Sequence, residues 1–145
     1  DHSFTVQSIE ETLRKTTISE YKVDTLVNLE RSMTLQKGIE GHLVQGHVDT
    51  VAKIVRIIPE KTGWLIDISI DKDYRDMIVG RGSITVDGIS LTIAEDLTDA
   101  FRVAIIPYTW ENTNLSIKKE GDNVNLEFDV IGKYIVKYLA KINKM

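Results

Sequence analysis

Hydrophobic and polar positions alternate in short runs along most of this chain, punctuated by Gly, Pro, Asn or Asp. Period-two alternation sends successive side chains to opposite faces, so it predicts half-buried strands. The predicted strands are Val48–Ile58, Trp64–Ile70, Ser83–Val86, Ile89–Ile93 (running on to Ala94), Phe101–Ile106 and Asn123–Asp129. The clearest stretch is Gly82–Ile93, GSITVDGISLTI. Asp87-Gly88 stands between two β-rich runs there, a strong hairpin signal because Gly tolerates φ > 0 without a steric penalty. Past the turn, Ile89, Leu91 and Ile93 form one face and the hydroxyls of Ser90 and Thr92 the other. Two segments break the alternation. Asp71–Val79 predicts a short helix capped by Asp71, with Tyr74, Met77 and Ile78 spaced at +3 and +4, ended by Gly80-Arg81-Gly82. In Val130–Asn143, Ile131, Ile135, Tyr138 and Ile142 recur at +4, +3, +4, a helix with a narrow seam. Such a helix packs on its own barrel or on copies of itself, and self-association is the favoured expectation.

The pattern also repeats. Phe4–Glu30 aligns without a gap on Phe101–Glu127, with identities at Phe4/Phe101, Val6/Val103, Ile9/Ile106, Thr12/Thr109, Thr16/Thr113, Ser19/Ser116 and Lys22/Lys119. Both copies close on the same block, Val27-Asn28-Leu29-Glu30 and Val124-Asn125-Leu126-Glu127. Each copy then reads strand, short helix, loop, strand. In the first copy these are Thr5–Ile9, Glu10–Lys15 and Leu26–Glu30, and in the second the short helix is Tyr108–Asn112. The interval between copies is the size of a small domain, not of a solenoid unit. The chain therefore reads as the closing part of one domain (residues 1–37, with a linker at Arg31–Ile39), one complete domain (38–129) and a terminal helix (130–145). A parent with two intact copies is expected to carry roughly 50–60 further residues in front.

Composition narrows the class. With 145 residues, 42% hydrophobic and 28% charged, the chain can build one compact domain and a piece. Its abundance of Val, Ile and Thr in short runs favours β-structure over a helical bundle. A net charge of −4 gives no reason to expect nucleic acid, which calls for a basic face. The absence of cysteine excludes disulfides, thiolate metal sites and a Cys nucleophile within this segment, and fits a reducing, cytoplasmic setting.

Candidate chemistry is sparse. The stretch Gly41–Asp49, GHLVQGHVD, carries His42 and His47. A spacing of five puts two rings on one face of neither a helix nor a strand, so a metal pair is disfavoured. Gly46 marks a bulge or a close backbone approach. Arg81, between two glycines, is either a solvated charge or a cation beside an electron-rich ligand. On pattern alone the Ser90 and Thr92 hydroxyls are equally those of any half-buried strand facing water.

Four motifs together carry a resemblance: GHLVQGHVD (Gly41–Asp49), GSITVDGISLTI (Gly82–Ile93), IPYTWENTNL (Ile106–Leu115) and VNLEFDVIGKYIVKYL (Val124–Leu139). In order and spacing they resemble the C-terminal lumazine-binding domain of the riboflavin synthases. ETLRKTTI (Glu11–Ile18) and VNLER (Val27–Arg31) resemble the end of that family's N-terminal domain. The resemblance implies an all-β fold, a Greek-key antiparallel barrel with short helices and a C-terminal helix, preceded by the end of a second similar barrel. It implies homotrimers, a site shared between neighbouring subunits, association with lumazine synthase, and neither a metal nor an organic cofactor. The implied reaction converts two molecules of 6,7-dimethyl-8-ribityllumazine into riboflavin and 5-amino-6-ribitylamino-uracil.

By the same resemblance, ligand contacts fall at Gly46, His47 and Val48, at Arg81, at Ser90, Leu91 and Thr92, and along Ala104, Ile105, Ile106, Pro107, Tyr108 and Thr109. In the first copy they fall at Gln7, Ser8, Ile9, Glu10, Glu11 and Thr12. Backbone groups and hydroxyls suit the carbonyls and ring nitrogens at the edge of a flat heterocycle, and aliphatic side chains suit its face. Proton traffic is expected at His47 and Ser90, with Asp87 as a nearby carboxylate and His42 as a lesser candidate. A non-catalytic lumazine- or flavin-binding protein of the same fold is the alternative. A structural barrel whose hydroxyls do nothing is a third reading, disfavoured by the motifs.

Overall fold

The computed structural model describes residues 3–34, 36, 38, 39 and 41–142. Its centre is a closed barrel of six antiparallel strands: β1 (Thr50–Glu60), β2 (Gly63–Ser69), β3 (Ser83–Val86), β4 (Ile89–Asp96), β5 (Ala100–Ile105) and β6 (Asn123–Phe128). Around the barrel the order is β1-β2-β5-β4-β3-β6, and β6 closes onto β1 through Thr50↔Leu126 to Lys53↔Asn123. Closure leaves no unpaired strand edge. Non-sequential neighbours (β2 beside β5, β3 beside β6) give the crossing connections of a Greek key. Two register shifts, between Ile54 and Arg56 and between Ile93 and Glu95, bend β1 and β4 around the corners.

Alternation decides what lies inside. Ile54, Ile66, Ile68, Ile84, Val86, Ile93, Phe101, Val103, Val124 and Leu126 point inward and are essentially fully buried. The β3–β4 hairpin turns on Asp87 and Gly88, whose φ angles of 45° and 84° are both positive, as a two-residue type I′ turn requires. Between β2 and β3 the predicted helix is a short 3-10 segment, Lys72–Met77, whose Asp71 cap accepts from the Asp73 amide at 2.9 Å.

Each repeat also builds the same pair of turns. α1 (Glu10–Lys15) is followed by a 3-10 turn at Thr17–Glu20, and α2 (Pro107–Asn112) by one at Asn114–Ile117. The repeated threonines explain the likeness. Thr16 Oγ1 donates to the Thr12 carbonyl at 2.7 Å and Thr113 Oγ1 to the Thr109 carbonyl at 2.7 Å. The same hydroxyls accept the Ile18 and Leu115 amides and so start the following turn.

Two expectations are corrected. Thr5–Ile9 and Leu26–Glu30 form no strand. A strand needs neighbours for its backbone groups. In the second copy β5 has β2 and β4, and β6 has β1 and β3. The first copy has no such neighbours among the described residues. Phe4 and Leu29 are accordingly 66% and 69% exposed, while their equivalents Phe101 and Leu126 lie in the core. The linker Arg31–Ile39 lies partly outside the described residues, as do the ends of the 1–37 and 130–145 units. The final helix, α3, runs Val130–Ile142. Lys133 ties it to the barrel through Asp49 at 2.6 Å, while Ile131, Tyr134, Ile135, Tyr138 and Leu139 remain exposed. No described helix is long and apolar enough to cross a membrane.

Candidate functional site

The hairpin β3–β4 carries the site. Thr85 and Ser90 are directly opposed across it, so both side chains stand on one face. The loop from Gly41 comes down onto that face. His42 Nδ1 lies 2.7 Å from Ser90 Oγ, and His42 Nε2 lies 3.1 Å from Thr85 Oγ1. A neutral imidazole has one N–H donor and one acceptor nitrogen, so one of the two hydroxyls must donate to the ring. The result is a hydroxyl–imidazole–hydroxyl relay on the face of the hairpin opposite the inward-pointing Ile84 and Val86.

The backbone makes this approach possible at Gly41. Its φ is +93°, and a Cβ there would meet Ser90 Oγ at 2.5 Å. Only glycine lets the chain pass this close in this conformation. Further along, the loop is pinned to β6. The Gln45 amide donates to Glu127 Oε1 at 2.7 Å, the Asp49 amide to the Leu126 carbonyl at 2.8 Å, and the Phe128 amide to Asp49 Oδ2 at 2.8 Å.

A groove of about 920 Å³ opens beside Ser90, bordered by Tyr108, Thr109 and Asn114 on one side and by Val27 and Asn28 of the first repeat on the other. Of the sequence-predicted residues, the structure brings Ser90, Tyr108 and Thr109 to this groove and sets His42 behind Ser90. Gly46, Val48, Arg81, Leu91 and Thr92 lie outside its lining, as do Gln7, Ser8, Ile9, Glu10, Glu11 and Thr12. His47 is exposed, and it is His42 that reaches Ser90. Arg81 adopts a positive φ of 67° and donates its amide to the Ile93 carbonyl at 2.8 Å. Ala104, Ile106 and Pro107 are exposed, whereas the Ile105 side chain belongs to the core. Glu11 is paired on its own helix with Arg14 and Lys15.

Asp87 sits differently from the expectation. Its Oδ1 accepts from the Asn125 amide at 2.7 Å and from Asn125 Nδ2 at 3.1 Å, and its Oδ2 from Asn114 Nδ2 at 2.9 Å. Lys118 Nζ stands 3.2 Å from the same Oδ2. With both oxygens occupied, the carboxylate is a knot tying the hairpin to β6 and to the 3-10 turn that follows α2. Among the described residues no His, Asp and Glu cluster has the make-up of a metal site.

Thr85, Gly41, Asn28, Asn114 and Asn125 escaped the sequence reading. The one available signal was the repeated Val-Asn-Leu-Glu block, which singles out Asn28 and Asn125.

Comparison with known proteins gives three concordant results. Residues 45–129 match the family model described as the lumazine binding domain. The chain is 42% identical over 140 residues to the riboflavin synthase of Actinobacillus pleuropneumoniae, covering 97% of this chain and 65% of that protein. It is 39% identical over 142 residues to the riboflavin synthase of Mycobacterium bovis, covering 96% of this chain and 71% of the relative. The chain thus spans about two thirds of the length of such relatives. Among solved structures it superposes on LumP complexed with riboflavin (TM-score 0.76, 27% identity, 83% of this chain and 65% of that one). It also superposes on LumP complexed with 6,7-dimethyl-8-(1'-D-ribityl) lumazine (TM-score 0.73, 26% identity, 82% of this chain and 64% of that one).

Proposed function

The chain belongs to the riboflavin synthase family, and from that premise we propose that it is the lumazine-binding C-terminal part of such a synthase. The protein it represents converts two molecules of 6,7-dimethyl-8-ribityllumazine into riboflavin and 5-amino-6-ribitylamino-uracil. One lumazine gives a four-carbon unit to the other. The observation that carries this reading is the His42–Ser90 contact of 2.7 Å at the edge of a groove, in a barrel whose relatives are named for this reaction.

The chemistry follows from the substrate. Removing a proton from the 7-methyl group leaves an anion that delocalises into the ring, and donors at the ring edge stabilise that charge. Ser90, backed by His42, is the group we assign to proton movement, because an imidazole exchanges protons near neutral pH. Ser90, Tyr108 and Thr109, which border the groove, are assigned to the ring edge and the ribityl chain, and the family resemblance adds Thr92, Arg81, His47 and Ala104–Pro107 as ligand contacts outside its lining. Holding two lumazines face to face supplies rate through proximity. We further propose that the exposed apolar face of α3 makes a homotrimer, and that the protein works in the cytoplasm beside lumazine synthase.

A second reading has its own support. LumP, a structural neighbour, is solved with lumazine, riboflavin and flavin mononucleotide, so a barrel of this fold in a binder without catalysis is a real alternative. Titration with 6,7-dimethyl-8-ribityllumazine, followed by its fluorescence, with riboflavin assayed in the same tube, decides between them. Synthesis is expected from the full-length protein carrying this segment. Binding without riboflavin from that full-length protein supports the binder, and no binding by a folded sample overturns both.

A further inference from the structure

The two repeats hold each other through the same two positions, used reciprocally. In one direction the Thr17 amide donates to Asn125 Oδ1 at 2.8 Å, and Asn125 Nδ2 donates to Thr17 Oγ1 at 2.9 Å. In the other the Asn114 amide donates to Asn28 Oδ1 at 2.9 Å, and Asn28 Nδ2 donates to Asn114 Oδ1 at 2.9 Å. Thr17 and Asn114 are equivalent in the internal alignment, and so are Asn28 and Asn125. Each amide side chain thus caps the start of the 3-10 turn in the opposite repeat, the contact pattern of a local two-fold axis.

The two halves are not equal in what they touch. Asn28 Nδ2 also donates to the carbonyl oxygen of Asp87 at 2.8 Å. Asp87 is the first residue of the β3–β4 turn and lies three residues before Ser90. One amide group of the first repeat therefore joins the hairpin that presents Ser90 to the turn after the helix that presents Thr109. Ser90 and Thr109 border the same groove, and Asn28 lies in its wall.

We propose that Asn28 is a positioning residue for the ligand site of the second repeat, setting from outside the barrel how far apart the Ser90 and Thr109 borders stand. This rests on the reading of that groove as the lumazine site. No other described side chain bridges the Asp87 carbonyl to Asn114 from the first repeat. Asp87 and Asn114 also meet directly through their side chains, so the Asn28 bridge tunes a junction the barrel already has.

The test is fluorescence titration of the chain with 6,7-dimethyl-8-ribityllumazine in three forms: the parent, Asn28→Ala and Asn28→Asp. Hydrogen exchange at residues 87–90 and 113–116 is recorded in parallel. Losing three bonds at a partly buried position is expected to weaken binding about three- to tenfold in Asn28→Ala, with faster exchange at both segments. Asn28→Asp keeps the shape but replaces a donor by a carboxylate close to Asp87, so at pH 7 it is expected to bind more weakly still. A protonated carboxyl has one O–H and restores one of the two donated bonds. The deficit of Asn28→Asp relative to the parent should therefore shrink as the pH falls toward 5, a recovery that a merely structural role does not produce. Equal binding by the parent and Asn28→Ala, or no pH-dependent recovery, overturns the positioning role and leaves the site reading intact. Failure of the folded parent to bind takes down the site reading, and this role with it.

Discussion

Replacing Arg102 with Met tests the electrostatics of the barrel wall. Across four strands, outward side chains alternate in charge: Arg56 on β1, Asp67 on β2, Arg102 on β5 and Glu95 on β4. Arg102 grips Asp67 with two bonds, Nε to Oδ1 at 2.6 Å and a terminal nitrogen to Oδ2 at 3.0 Å, and reaches Glu95 at 2.8 Å. The Asp67 side chain is 5% exposed and that of Arg102 18%, whereas Arg56 is 57% exposed. Removing one partner of a buried pair costs about 3–5 kcal/mol, because the other charge is left desolvated. Arg56 still touches Oδ2 at 3.1 Å and water enters where Arg102 stood, so the expected loss at pH 7 is about 2–3 kcal/mol. At roughly 2–4 °C per kcal/mol, Tm should fall by about 4–12 °C.

The pH dependence has a definite sign. The Arg102 guanidinium holds the Asp67 carboxyl below its ordinary value against the opposing effect of burial, with Arg56 adding to the lowering. A carboxyl lowered by folding stabilises the native state above its unfolded value of about 4, and that stability is lost as the pH falls through the folded value. In Arg102→Met the largest lowering contribution is gone and the carboxyl moves up from its value in the parent. The parent alone then loses this stability as the pH falls below about 4, so the variant's deficit should narrow there. Urea unfolding followed by circular dichroism at several pH values measures this. The double variant Asp67→Leu/Arg102→Met, which buries no unpaired charge, should lie within about 1 kcal/mol of the parent. A single variant within 0.5 kcal/mol of the parent (roughly the scatter of neutral surface changes), or a deficit independent of pH, refutes the reasoning.

Other outcomes follow from the same geometry. His42→Ala should leave Tm within about 5 °C of the parent, since the ring is a loop group, while riboflavin formation by the full-length protein falls at least about tenfold; rates equal to the parent would dismiss the relay. Gly41→Ala should reproduce that loss, because the added methyl meets Ser90 Oγ at 2.5 Å in a strained backbone, and a normal rate would show that the loop does not need this approach. Phe101→Ala, deep in the barrel, should cost about 3–5 kcal/mol by chemical denaturation. Ile135→Lys on the exposed face of α3 should lower the sedimenting mass without lowering the barrel's unfolding midpoint, and unchanged mass would argue against α3 as the association surface.

Much of the fold is written locally. Short β-rich runs marked all six strands, and alternation was clearest at Ile89–Ile93, where a sheet with one face in the core imposes period two. Asp87-Gly88 announced its turn because few other pairs accept two positive φ angles. The internal repeat and the four motifs pointed to the barrel and its chemistry, and the threonine pairs Thr12/Thr16 and Thr109/Thr113 gave the same turns twice. These are properties of a residue and its near neighbours, so sequence by itself determined them.

Tertiary structure decided the rest. Thr5–Ile9 and Leu26–Glu30 have the pattern of strands, yet a strand exists only through the hydrogen bonds of its neighbours, and the described residues supply none. Which histidine meets Ser90 was equally out of reach. The sequence favoured His47 over His42, but the backbone at Gly41 brings His42 across 48 residues to the hairpin. Asp87 read as a turn residue and a carboxylate near the proton traffic, and only the fold placed Asn114, Lys118 and Asn125 around it. Periodicity says which way a side chain points, but what it meets there is set by chain closure between residues far apart in sequence.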